Sequence, residues 1–237
     1  MVAESRKKIF GSRLNRRSFV LGGASLLAAT PAMAQWPADR PTFFNPFALF
    51  QRGANYGAIP GERFPVPPID ISRVDPRYLR QEVFYQSREQ PGTIIVNPDA
   101  RFLYLVLGNS RALRYGVGVG RQGFGWNGRA TIQRKAAWPT WTPTENMIRR
   151  DPKLARYAGG MPPGLNNPLG ARALYLFQNG EDTLYRLHGT NEPWSIGQAL
   201  SSGCIRLFNQ DIIDLHDRTS IGTQVVVLPH GRRPAAT

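Results

Sequence analysis

Cysteine is nearly absent from this 237-residue chain: there is one, Cys204. A single thiol closes no internal disulfide, so the chain is not a disulfide scaffold. Cys204 is left as a buried small hydrophobe, a site of intermolecular pairing or a functional thiol. Histidine is scarce too. His188, His216 and His230 lack metal-ligand spacing, and with one thiolate they offer no zinc site. Acidic side chains number 16 against 30 basic ones. The arginines are nevertheless scattered, with no basic helix, zinc finger or aromatic–basic RNA module, so nucleic acid is not an expected partner. A solvated basic surface, or attraction to an anionic envelope polymer, accounts for the balance. No apolar run reaches the roughly 20 residues that a spanning helix needs.

What is present begins with a leader. Arg6, Lys7, Lys8 and Arg13 precede Asn15-Arg16-Arg17-Ser18-Phe19-Val20, a small-residue apolar stretch covers 21–30, and Ala32-Met33-Ala34 ends it in a small-x-small pattern. A basic region, a short apolar core and that ending predict a secretory signal over residues 1–34, removed before Gln35. The arginine pair resembles the twin-arginine export signal, which implies a periplasmic destination. Removal would leave 24 basic and 15 acidic side chains and no transmembrane segment in the mature chain.

Residues 35–92 read as a proline-rich arm, in which repeated prolines interrupt helix and central strand alike. Its aromatics, including Phe43, Phe47, Tyr56 and Phe64, predict that part of it packs along the domain. Asp75-Pro76 is the expected start of a short helix running to Phe84. Residues 93–228 then form the expected catalytic domain, with strands over 93–96, 101–107, 113–119, 131–137, 173–177, 183–187, 204–208 and 223–228. Residues 138–170, rich in Pro, Gly and Asn, read as a long insertion with one helical turn near 144–150, suited to a wall or lid. Asn209 is the expected N-cap of a helix to Arg218, and 229–237 the expected flexible tail. This inventory predicts a mainly β fold, a β-sandwich or partly closed barrel with one or two short helices.

Gly118-Val119-Gly120-Arg121-Gln122-Gly123 matches G-x-G-x-x-G in form, but Phe124-Gly125-Trp126-Asn127-Gly128 follows where a dinucleotide site needs a helix. No cofactor is expected, and the glycines read as tight β turns. The sharper signal lies between Leu187 and Leu207. His188-Gly189-Thr190 ends a strand, and Ser201-Ser202-Gly203-Cys204-Ile205-Arg206 opens the next element. Sequential strands often pair, which would bring imidazole and thiol together on one face. A histidine there can take the thiol proton, amides near Gly203 can form an oxyanion hole, and Arg206 adds positive charge. A structural histidine and a buried core thiol remain the alternatives, as do a non-catalytic cell-wall-binding module and a secreted cysteine peptidase for the whole chain.

These blocks resemble the signature of the L,D-transpeptidases, the YkuD-type catalytic domain. Trp138-Pro139-Thr140-Trp141-Thr142-Pro143 and Pro163-Gly164-Leu165-Asn166-Asn167-Pro168-Leu169-Gly170 resemble two further blocks that bacterial members often carry. The resemblance implies a β-rich periplasmic enzyme acting on peptidoglycan stem peptides. Its cysteine forms a thioester with a tetrapeptide stem, releasing D-alanine, and an amine of a second stem or an outer-membrane protein receives the acyl group. Carried over, it implies Cys204 as nucleophile, His188 as base, the Gly189 carbonyl as orienter, and the Gly203 and Cys204 amides as oxyanion donors. Ser201, Thr190 and Arg206 would shape and charge the pocket, and Trp138 and Trp141 are candidates for a substrate wall or for core packing. Many members carry histidine or a larger residue where this chain has Ser202, which bears on rate and substrate preference.

Overall fold

The computed structural model describes residues 55–120, 126–201 and 203–231. The expected leader over 1–34, the arm up to residue 54, residues 121–123 of the glycine run, Ser202 and the tail from 232 lie outside the described residues.

In chain order the elements are β1 (Gln81–Phe84), β2 (Ile94–Asn97), β3 (Phe102–Gly108), β4 (Arg111–Gly116), β5 (Val119–Gly120) and β6 (Gly128–Ala137). They continue as α1 (Glu145–Arg150), β7 (Arg172–Gln178), β8 (Glu181–His188), β9 (Ala199–Ser201), β10 (Ile205–Arg206), α2 (Asn209–Arg218) and β11 (Gln224–Val227). Nine strands pair in the order β1-β4-β3-β2-β11-β6-β7-β8-β10, and β5 and β9 make a separate two-stranded sheet. Most neighbours run antiparallel, but β2–β11, β8–β10 and, in the small sheet, β5–β9 are parallel.

This corrects the expected mainly β sandwich or partly closed barrel. The large sheet ends at β1 on one side and β10 on the other, so it does not close, and the small sheet is too narrow to serve as a second layer. The fold is mixed α/β. Alternating apolar residues predict strands, whereas closure depends on which edges meet, a property that periodicity does not carry.

Burial follows the alternation. Leu174 and Leu176 of β7, Leu187 of β8, Ile205 of β10, and Ile94 and Val96 of β2 share one core with Ile212 and Leu215 of α2. Lys135 supports the helix from β6 by donating to the carbonyls of His216 and Thr219 at 2.7 and 2.6 Å, which satisfies the last turn of α2 and sets a cation at its negative end. The helix expected from Asp75 is instead a single 3-10 turn, Pro76–Tyr78 capped by Asp75, followed by β1. Gln81–Phe84 is extended because it pairs with β4, a tertiary contact that overrides local propensity.

The described part of the arm is built into the fold. Val66 packs with Trp138 and Ala171, and Phe64 meets the Trp138 ring edge-on at 4.9 Å. Glu62 accepts from the Trp138 indole at 2.8 Å and pairs with Arg172 at 2.6 Å. The Tyr56 hydroxyl donates to the Asp211 carboxylate and accepts from the Arg80 backbone N–H.

Candidate active site

The HGT and SxGCIR blocks meet at the β8–β10 edge. The two strands run parallel with Ile205 opposite Leu187 and Arg206 opposite His188. Carried one residue back, that register sets Cys204 beside Arg186. With a period of two, Cys204, Arg186, His188 and Arg206 project from one face of the sheet while Leu187 and Ile205 enter the core. The nucleophile candidate and the base candidate therefore occupy adjacent rows of the same face.

His188 is 4% exposed, and its Nδ1 lies 2.6 Å from the Gly189 carbonyl. A carbonyl only accepts, so Nδ1 carries the proton and Nε2 keeps its lone pair. Burial pushes the imidazole pKa down to about 4, against the partial compensation of the Gly189 bond, and the charges of Arg206 and Arg186 push the same way as burial. Burial also raises the Cys204 thiol, opposed by the Arg186 backbone N–H at the sulfur and by the Arg186 and Arg206 charges. Both shifts favour the neutral forms, thiol and imidazole, over a thiolate–imidazolium pair.

Beside the sulfur, β8 is distorted. Tyr175 pairs with Arg186 and Phe177 with Asp182, so three residues, 183–185, bulge opposite Leu176. Leu184 at the crest has φ 61° and is 64% exposed, and its carbonyl receives a long 3.8 Å contact from Cys204 Sγ. The bulge is tied by Asp182, which accepts from the Leu184 N–H at 2.9 Å and pairs with Arg186 at 2.8 Å.

The loop before the thiol is held internally. Ser201 Oγ donates to the Cys204 carbonyl at 2.6 Å and accepts from the Gly203 N–H at 3.2 Å. Gly203 adopts φ 134°, outside the range of ordinary L residues, and a Cβ on Gly120 would come within 2.8 Å of the Gly203 Cα. Glycine is required at Gly120 because two backbones touch there, and at Gly203 because of that φ. Arg206 pairs with Glu192 at 2.6 Å, and the Thr190 hydroxyl accepts from the Glu192 N–H at 3.0 Å.

A cavity of about 910 Å³ opens on Cys204. Gly203, Tyr175, Thr183, Leu184, Tyr185 and Arg186 form the sheet side, and Trp141, Thr142, Met147, Arg149 and Arg150 form the facing wall. The 138–170 insertion therefore supplies that wall. It is pinned by Asn167, whose side-chain amide donates to the carbonyls of Pro139, Met161 and Pro162 and whose Oδ1 accepts from Leu169. Of the two tryptophans, Trp141 lines the cavity, while Trp138 is 4% exposed in the packing against Phe64 and Val66. His188, Gly189, Thr190, Ser201 and Arg206 lie outside the cavity lining, behind or beside the loops around it. No cluster of three or more His, Cys, Asp or Glu that could hold a metal occurs among the described residues.

The family model for the L,D-transpeptidase catalytic domain, YkuD, matches residues 91–227, more than half of the chain. The chain belongs to this family. An L,D-transpeptidase relative, the probable L,D-transpeptidase YbiS of Escherichia coli K12, is 33% identical over 156 residues, 62% of this chain and 47% of its own length. Probable L,D-transpeptidase YcfS of the same strain is 36% identical over 141 residues, 58% of this chain and 43% of that protein. The chain thus spans about half the length of these curated relatives. Among solved structures, one from Brucella melitensis, described as a probable carnitine operon oxidoreductase CaiA, is 49% identical with a TM-score of 0.46, covering 67% of this chain and 99% of that one.

Two residues of this L,D-transpeptidase domain stand outside the motifs, and their part in the site surfaces only in the fold. Asn209 is the first residue of α2, with Phe208 at the N-cap, so it does not cap the helix as expected. Its amide instead bridges the residue before β7 and the loop after β8, accepting from the Ala171 N–H at 2.9 Å and donating to the Thr190 carbonyl at 3.1 Å. Arg186 is the second, and its backbone and charge both act on the thiol.

Proposed function

We propose that this chain is a cysteine-dependent L,D-transpeptidase of the cell envelope, acting on peptidoglycan tetrapeptide stems. The observation that carries the reading is the placement of Cys204 and His188 on adjacent rows of one sheet face, with Nδ1 committed to the Gly189 carbonyl. His188 Nε2 takes the Cys204 proton as sulfur attacks the carbonyl carbon of the third stem residue, diaminopimelate. The C–N bond to D-alanine breaks, the leaving nitrogen receives the proton from His188, and a thioester remains. An acceptor amine then attacks that thioester. His188 takes a proton from the amine and returns it to the departing sulfur, giving a new amide and free thiol.

The oxyanion that forms at the attacked carbonyl falls to the Cys204 N–H, since the Gly203 N–H is spent on Ser201 Oγ. Arg206 and Arg186 add positive potential to the same place. Ser201 and Thr190 hold the two loops. A second stem peptide is the proposed acceptor, giving a 3→3 crosslink, with an outer-membrane protein as the alternative acceptor. Export to the periplasm, by the twin-arginine route suggested by Arg16-Arg17, completes the reading; no helix among the described residues is long and apolar enough to cross a membrane.

Intact-mass measurement with disaccharide-tetrapeptide tests it. A single adduct lacking D-alanine is expected on the wild-type protein and none on Cys204→Ala. A folded wild-type protein that forms no adduct and releases no D-alanine overturns the proposal. Muropeptide profiling with an added acceptor stem then separates crosslinking from protein anchoring.

A further inference from the structure

The floor of the cavity is one straight row of side chains. Arg134 of β6 is paired in register with Tyr175 of β7, Tyr175 with Arg186 of β8, and the β8–β10 register carries the row on to Cys204. Directly paired residues project from the same face, and all four line the cavity. The guanidinium carbons of Arg134 and Arg186 lie 4.5 and 4.6 Å from the Tyr175 ring centroid, so the tyrosine is stacked against both. Arg186 is already paired with Asp182. Arg134 is exposed, and no carboxylate partners it among the described residues. Across the cavity, the last turn of α1 adds Arg149 and Arg150, and the lining contains four arginines and no Asp or Glu.

Such a cavity holds a positive potential that concave walls focus onto a bound group. Stacking on Tyr175 fixes the plane of the Arg134 guanidinium and leaves its fork of N–H donors free, the arrangement that receives a carboxylate through two parallel hydrogen bonds. Distance limits which carboxylate fits. Neighbouring strands lie about 4.7–4.9 Å apart, and the Arg134 guanidinium leans onto β7. Its charge therefore stands roughly two strand spacings, or ~10 Å, from the nucleophile. Carboxylates next to the attacked bond lie within about one residue length, ~3.5 Å, and do not reach it.

We infer that the Arg134–Tyr175–Arg186 row is an anion subsite that holds a free carboxylate of the acyl donor, carried away from the attacked amide. The inference rests on the acyl-donor reading above. A tetrapeptide stem has two carboxylates at such a remove, on the γ-linked glutamyl residue and on the far end of the diaminopimelyl side chain. Both present the same chemistry, and both become neutral when amidated. The row therefore selects stems by their amidation state, and it acts on the donor rather than on the acceptor amine.

The test is acyl-enzyme formation followed by mass, without acceptor, over a range of donor concentrations. Three donors are used: the unmodified stem, the stem amidated at glutamate, and the stem amidated at the distal diaminopimelate carboxylate. Wild-type protein is expected to require roughly 10- to 100-fold more of one amidated donor for half-saturation, the usual worth of a charge-assisted hydrogen bond, and the donor that suffers identifies the carboxylate. Arg134→Gln is expected to weaken the unmodified donor by a similar factor, to leave the maximal acylation rate within about twofold, and to abolish the discrimination. Arg134→Lys should restore it in part. Equal half-saturation for all three donors on wild-type protein, with acylation intact, overturns the subsite and leaves the transpeptidase reading standing. So does an Arg134→Gln defect of equal size with every donor, or one confined to transfer from the thioester. Failure of wild-type protein to acylate with any donor overturns both.

Discussion

His188 donates from Nδ1 to the carbonyl of its own neighbour, Gly189, at 2.6 Å. The bond is as local as a bond can be, yet it fixes the tautomer and so decides which nitrogen faces the thiol row. Asn209 and Ala171 crowd Gly189 so closely that a Cβ there would come within 2.2 Å of the Asn209 Oδ1. The orienting carbonyl is therefore clamped by packing.

The acid limb of acylation should fall with this imidazole. Burial holds His188 at about 4, so its base form persists down to that pH and is lost only as pH falls through about 4. The second-order acylation rate, measured at sub-saturating donor across pH 3–8 on folded protein, should place the acidic midpoint of the free enzyme near 4; a midpoint at the ordinary histidine value of about 6.5 would contradict it. His188→Gln should slow adduct formation by roughly 10²–10⁴-fold.

The thiol should behave in the opposite sense. Burial raises Cys204 above its ordinary value, so the thiolate fraction grows only on the alkaline side of that value. Alkylation by iodoacetamide, followed by mass from pH 6 to 10, should rise continuously and reach no plateau below pH 9. A plateau near neutrality would mean a preformed ion pair, and complete inertness across the range would favour a wall-binding module without chemistry.

Asn209→Ala removes the bridge between Ala171 and Thr190 and leaves a buried N–H and a buried carbonyl unpaired. The expected loss is about 1–3 kcal/mol of stability in denaturant titrations. Acylation should slow by more than Asn209→Asp slows it, since aspartate keeps the acceptor toward the Ala171 N–H.

The two tryptophans should separate cleanly. Trp138→Phe breaks the indole bond to Glu62 and should cost roughly 1 kcal/mol while donor half-saturation stays put. Trp141→Ala should raise donor half-saturation several-fold with little change in unfolding midpoint, because Trp141 lines the cavity and is only partly buried. The reverse pattern would exchange their roles.

Much of the candidate site was legible because the proposed chemistry needs particular residues in a particular order: His188-Gly189-Thr190, then Ser201 to Arg206. The strand inventory was legible too, since apolar alternation marks β3, β6, β7 and β8 within a few residues. Pairing was not. The parallel β8–β10 contact, the open sheet and the Arg134–Tyr175–Arg186 row depend on register, and two irregularities, near Gln133 and over 183–185, set that register. A bulge of this kind leaves no reliable mark in composition. Trp138 and Trp141 sit three residues apart in one motif, and only the packing of Phe64 and Val66 tells the core residue from the wall residue. Asn209 was legible as polar at a helix start, but the sequence pointed its amide at the helix rather than at Ala171 and Thr190.

The segment that the family model matches, 91–227, leaves out Tyr56, Glu62, Phe64, Val66 and Arg80. Cut away from them, Asp211, fully buried, would lose the Tyr56 phenol, and Asp214 would lose Arg80, its partner at 2.8 Å. Trp138 and Arg172 would lose Glu62, and the Trp138 ring its apolar cover. The family match and the packed core thus draw different borders on this chain, and the packed one begins at least 35 residues earlier, at Tyr56.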